Sequence, residues 1–157
     1  MITTASSIKI QKTERSRLPE TDLANVKFGR TFSDHMLVWE YADGAWQRPE
    51  IMPFADLQMS PASLVLHYAQ TIFEGQKAYR AQDGRVSIFR PMDNVRRMNR
   101  SAERMCMPAI PEDLFLEAAD LLITVDREWV PKAVGESLYM RPFMIATEAA
   151  LGVKPSA

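Results

Sequence analysis

At 157 residues the chain fits one domain, and a chain near this size buries roughly two-thirds of its unfolded surface. A net charge of −1, with 46% apolar and 25% charged residues, is ordinary for a soluble globular protein and speaks against a general nucleic-acid binder. Cys106 is alone, which excludes an intrachain disulfide and a cysteine zinc site; no apolar run reaches the roughly 18 residues of a membrane helix. The polar start lacks the apolar core of a signal peptide, so a cytoplasmic location is expected.

Residues 1–22 read as a loose arm, and 23–157 as a single domain. From Phe28 onward the pattern turns strand-like. Met36 to Tyr41 and Ala45 to Gln47 flank Asp43-Gly44, a pair that tolerates positive φ and so predicts a hairpin. Ser60-Pro61 reads as the cap and first position of a helix. Its stripe would be Leu64, Tyr68 and Ile72, with Gly75 as the stop. A second hairpin follows, Lys77 to Arg80 and Val86 to Phe89 around Asp83-Gly84.

Asp93 is expected to cap a helix striped by Val95, Met98, Ala102 and Met105 and ended by Pro108. Glu112 and Asp113 begin another, with Leu114, Phe115, Ala118, Leu121, Leu122 and Val125 as its buried side. Ser137 to Thr147 reads as one strand carrying Tyr139, Arg141, Phe143 and Ile145 on a common face. Hairpins with helices clustered between them predict an α+β fold, an antiparallel sheet with flanking helices.

Tyr139 and Arg141 offer a ring wall, a hydroxyl and a planar fork suited to a carboxylate; from the pair alone, a structural salt bridge with a packed tyrosine is the commoner explanation. Arg96, Arg97, Arg100 and Arg104 fall on one predicted helix. A solvated basic face is the usual reason for such a run, although Arg97 lies close enough to the apolar stripe to turn inward toward a phosphate. His35 and His67 have no partners at a triad spacing, and two isolated histidines speak against a histidine metal site. Glu74, just before Gly75, reads as a helix-end acid. The six glycines are scattered singly, which removes the P-loop and simple Rossmann readings. No nucleophile, acid–base pair or metal cluster emerges.

Several segments nevertheless occur in one order: Phe28-Gly29, Thr31 to Met36, Leu66 to Ala69, Phe73 to Arg80, Arg97 to Ala102, Asp126 to Pro131, Ser137 to Pro142, Thr147-Glu148 and Leu151 to Val153. From about residue 28 to its end the chain resembles the N-terminal part of the branched-chain amino-acid aminotransferases, fold-type-IV enzymes that use pyridoxal 5'-phosphate. The resemblance implies reversible amino transfer between leucine, isoleucine or valine and 2-oxoglutarate, in a cytoplasmic homodimer acting on branched-chain amino acids and 2-oxo acids, with no nucleic acid or membrane as partner.

It further implies that Arg97 binds the cofactor phosphate, and that Phe28, Tyr68 and Tyr139 line an aromatic pocket for the branched side chain. Arg141 would recognise the second carboxylate of glutamate or 2-oxoglutarate. Leu151 and Val153 would sit on a loop reaching the neighbouring subunit's pocket. The family's Schiff-base lysine lies in a C-terminal domain, and none of Lys9, Lys12, Lys27, Lys77, Lys132 or Lys154 falls in its motif. The expectation is therefore a small N-terminal domain without its cofactor domain, inactive alone and holding no catalytic residue. Same-fold alternatives are a D-amino-acid aminotransferase or an aminodeoxychorismate-lyase-like enzyme. A non-catalytic dimerisation domain is the alternative from another class.

Overall fold

The computed structural model describes residues 8–156. Strand β1 (Lys9–Ile10) and two 3-10 turns, Leu18–Glu20 and Leu23–Asn25, lead to β2 (His35–Val38). β3 (Tyr41–Ala42) and β4 (Ala45–Trp46) form the hairpin predicted at Asp43-Gly44, whose φ angles are 53° and 75°. β5 (Glu50–Pro53) pairs antiparallel with β2 and parallel with β1, giving a three-stranded sheet.

Next come α1 (Leu64–Tyr68), β6 (Thr71–Phe73), β7 (Gln76–Arg80) and β8 (Val86–Ile88). α2 (Pro91–Arg104), α3 (Glu112–Val125), a 3-10 turn at Arg127–Trp129, β9 (Leu138–Met140) and β10 (Phe143–Ile145) complete the described residues. The second predicted hairpin is present as β7 and β8. The class is α+β, with every strand pair but β1–β5 antiparallel.

Four expectations are corrected. The arm is not loose over its described residues: Ile8 is buried against Ile51 and Ala118, and β1 extends a sheet. Residues 1–7 lie outside the description. The helix expected from Ser60-Pro61 to Gly75 shrinks to Leu64–Tyr68, ending at Ala69 in the left-handed region. Its helical spacing loses to a neighbouring strand: Leu64 and Val65 donate their N–H groups to Glu148 and Ala146, and Thr71 to Phe73 pair with β10. The strand expected over Ser137 to Thr147 is broken at Arg141-Pro142, since Pro142 has no N–H to continue a ladder. Finally, Asp93 lies inside α2, ion-paired to Arg90, while Pro91 occupies the helix start.

The two broken strands belong together. Phe73 opposes Phe143 and Gln76 opposes Met140, so the register runs without a slip across the interruption, and the Glu74 N–H donates to the Pro142 carbonyl at 2.8 Å. β6–β7 and β10–β9 therefore form one long antiparallel ribbon. Ile72, Glu74, Gln76 and Ala78 point inward and are buried; Thr71, Phe73, Lys77 and Tyr79 point outward.

On the inner side Ile72 packs with Val95, Met98 and Ala102 of α2, and with Ile110 and Phe115. Two further clusters use Ala118 and Ile123 of α3, the first with Ile8 and Ile51 and the second with Ala78 and Val130. α3 thus touches every cluster, as suits a helix apolar on most sides. Among the described residues, no helix is long and apolar enough to cross a membrane.

Candidate functional site

The outward face of the ribbon carries an unusual number of exposed rings. Phe73, Phe143 and Phe28 are 66%, 52% and 76% exposed. Large rings left in water at one place make this face a candidate binding surface. Tyr139 leans along this face with Phe28 edge-on to it at 5.1 Å. Arg141, two residues on, stacks its guanidinium over Phe73 at 4.5 Å and over Tyr139 at 5.2 Å, and its Nε donates to the Tyr139 hydroxyl at 3.1 Å. Among the described residues Arg141 has no carboxylate partner, so its terminal nitrogens stay available to a ligand.

Arg97 stands in contrast. From α2 it reaches the ribbon's inner side and grips Glu74 with two bonds, Nε to Oε2 at 2.6 Å and Nη2 to Oε1 at 2.5 Å. This fork is the chief reason the Glu74 carboxyl lies below its ordinary value, aided by the Gly75 N–H, and it raises the Arg97 guanidinium in turn. The carboxylate is buried while the Arg97 side chain remains 61% exposed, so its outer edge is open to an anion. Glu74 is therefore not a helix-end acid but the group that holds Arg97.

The remaining residues singled out from the sequence are dispersed. Tyr68 lies on α1, half-exposed, with His67 as its ring neighbour at 6.2 Å. Leu151 and Val153 project from the last loop, 69% and 93% exposed, with Lys154 bound to Glu148 nearby. The structure thus brings Phe28, Tyr139 and Arg141 together. Arg97 sits on the ribbon's other side, and among the described residues Tyr68, Leu151 and Val153 share no hydrogen bond, ion pair or ring contact with that group. Arg80 is engaged by the Val130 and Arg127 carbonyls, and Arg96 by Glu112.

Sequence reasoning missed Phe73, Glu74 and Gly75. Their signal was the alternation from Thr71 to Tyr79, obscured because Glu74 and Gln76 occupy inward positions where apolar residues would show the period. A groove of about 170 Å³ lies beside the ribbon between Lys77, Tyr79, Phe89, Asn94 and Tyr139. The buried Gln76 contributes to its wall, and among the described residues both polar atoms of its amide lack a partner. A larger hollow of about 450 Å³, between Arg96, Arg100, Glu103 and Glu112, is wide-mouthed and includes none of those rings in its lining.

No protein-family model matches the chain. It is 52% identical over 136 residues to branched-chain-amino-acid transaminase 1 of Bacillus subtilis, covering 86% of this chain and 38% of that protein. Branched-chain-amino-acid aminotransferase 2 of the same organism is 46% identical over 154 residues, 98% of this chain and 42% of that one. Among solved structures, a branched-chain amino acid aminotransferase complexed with N-(5'-phosphopyridoxyl)-L-glutamate matches with a TM-score of 0.57 at 27% identity, over 80% of this chain and 37% of that one. The Escherichia coli enzyme gives a TM-score of 0.59 at 23% identity over the same shares, a likeness of fold. The chain spans about two-fifths of the length of the curated relatives it matches.

Proposed function

We propose that this chain, a relative of the fold-type-IV branched-chain amino-acid aminotransferases across part of their length, supplies the substrate walls and anion grips of such an enzyme. The reaction would be reversible amino transfer between leucine, isoleucine or valine and 2-oxoglutarate, in a cytoplasmic homodimer. The length of the relatives beyond this match would carry the lysine that binds the cofactor, and the chain alone would be inactive.

The observation that carries this reading is Arg141, a cation with no carboxylate partner among the described residues, stacked between Phe73 and Tyr139. Such an enzyme must accept an aliphatic side chain and a dicarboxylate in one pocket. With 2-oxoglutarate bound, the Arg141 fork would meet the distal carboxylate. With a leucine side chain bound, the guanidinium would keep its ring contacts, worth about 0.5–2 kcal/mol, and would not be stranded. Phe28, Phe73 and Tyr139 would supply the apolar contact, where each methylene discriminates by roughly 1–3 kcal/mol. Tyr68, Leu151 and Val153 would join the pocket from α1 and the last loop.

The residues fit one end of pyridoxal 5'-phosphate. Arg97 has an exposed guanidinium edge, and the buried Glu74 fixes its direction, so it would hold the phosphate. When bound, the cofactor supplies the electron sink for proton removal at the substrate's Cα. The chain's own part is to bind, orient and exclude water.

The test is a chimera carrying this chain in place of the matching segment of the Bacillus subtilis transaminase. It should convert leucine and 2-oxoglutarate. Arg141→Ala should raise KM for 2-oxoglutarate by roughly 10–100-fold, the worth of a charge-assisted hydrogen bond, and leave that for 4-methyl-2-oxopentanoate within about threefold. A folded chimera without transaminase activity would refute the assignment.

A further inference from the structure

We propose that Gly75 is a positioning residue: the space left by its missing side chain seats Tyr139, and the seated Tyr139 aims Arg141. The functional meaning of that aim rests on the reading above, while the seat itself stands on geometry.

Gly29, Gly44, Gly84 and Gly135 have positive φ, and a Cβ added at any of them meets nothing within 4 Å. Those glycines serve backbone conformation. Gly75 is the reverse. Its φ lies outside the left-handed region, so any residue could adopt its backbone, yet a Cβ there would overlap the Tyr139 hydroxyl and lie 3.0 Å from Cζ and 3.2 Å from Cε2. Space, not torsion, requires the glycine.

The backbone cannot retreat to make room. The Gly75 N–H donates to the Glu74 carboxylate at 2.7 Å, and the Gly75 carbonyl accepts from the Asn94 side chain at 3.1 Å. Glu74 is in turn held by Arg97, and its N–H by Pro142. With the peptide pinned from both ends, the Tyr139 ring must give way. Phe28 stands against that ring, and the hydroxyl is the acceptor of the Arg141 Nε. Moving the ring therefore unhooks Arg141 and leaves it stacked on Phe73 alone.

The experiment uses the full chain and a double-mutant cycle with Tyr139→Ala. Overpacking predicts that Gly75→Ala lowers the thermal midpoint of the otherwise unchanged chain by roughly 3–10 °C. In the Tyr139→Ala background the same substitution should raise the midpoint, because alanine restricts the unfolded chain and no longer meets a ring. In parallel, the Arg141 Nε–H resonance, assigned by its loss in Arg141→Lys, should move in Gly75→Ala in the direction it moves in Tyr139→Phe. An equal loss of stability in both backgrounds, or an Arg141 resonance unmoved by Gly75→Ala, overturns the proposal. If Gly75→Ala alone fails to fold, folding of the double variant supports the seat, and failure of both overturns it. The functional reading fails separately, through an inactive chimera with the sign reversal intact.

Discussion

Two arginines in this chain face different fates, and the difference is what their neighbours leave free. Arg97 spends two of its donors on a buried carboxylate, whereas Arg141 spends one on a hydroxyl and rests its plane on rings. The Arg97–Glu74 pair has a pH signature. Because the fork holds the Glu74 carboxyl below its ordinary value of 4.5, the pair stabilises the fold above that pH and loses the contribution as pH falls through the lower folded value. Glu74→Gln should therefore be less stable than the unchanged chain at pH 7, and the two stability curves should converge in acid. Urea midpoints measured from pH 7 to 3 check this; a gap that stays constant would show that Glu74 acts by packing alone. The fate of Arg97 could not be read from spacing, because the Glu74–Arg97 bond joins residues 23 apart.

At the level of elements, α2 was the most legible. Val95, Met98 and Ala102 recur at three and four residues, and all are buried as that period demands; Met105, just past the last turn, is 37% exposed. Met98 is the largest of the three, so Met98→Ala should cost about 2–5 kcal/mol through the cavity it leaves, read from urea denaturation. A change below 0.5 kcal/mol would mean that α2 is not anchored to the ribbon through this side chain. α1 and β6 were the least legible. Leu64, Tyr68 and Ile72 fit a helical period, but the pairing of Thr71 to Phe73 with β10 satisfies the backbone equally and puts Ile72 on α2. A distant strand decided between two locally acceptable conformations.

For the whole molecule, the N-terminal segment acts as a clasp. Thr13 donates its N–H to His35 Nε2 at 2.9 Å, and His35 Nδ1 lies 2.6 Å from Asp126, so the ring donates from Nδ1 and accepts at Nε2. Alongside, burial pushes the Asp34 carboxyl up, but hydrogen bonds from Ser16, the Arg17 N–H and Trp129 together outweigh it and hold it below its usual value. Residues 13–17, Asp34, His35, Asp126 and Trp129 meet there. His35→Ala should loosen residues 12–17 and speed tryptic cleavage after Arg15 or Arg17 by roughly tenfold, a local loss near 1.4 kcal/mol. Unchanged cleavage would show that Ile8 and β1 alone hold the segment.

Taken by itself, the sequence determined the class of fold, two hairpins, the helices α2 and α3 and the similarity to part of the branched-chain aminotransferases. Those depend on local turn chemistry, on periodicity and on ordered motifs, all of which are written along the chain. Only the tertiary structure decided that residues 8–17 are docked, that Glu74 holds Arg97, and that Gly75 makes room for Tyr139. Each of those is a contact between residues far apart in sequence, and a pattern read along one strand carries no record of what the facing strand places opposite it.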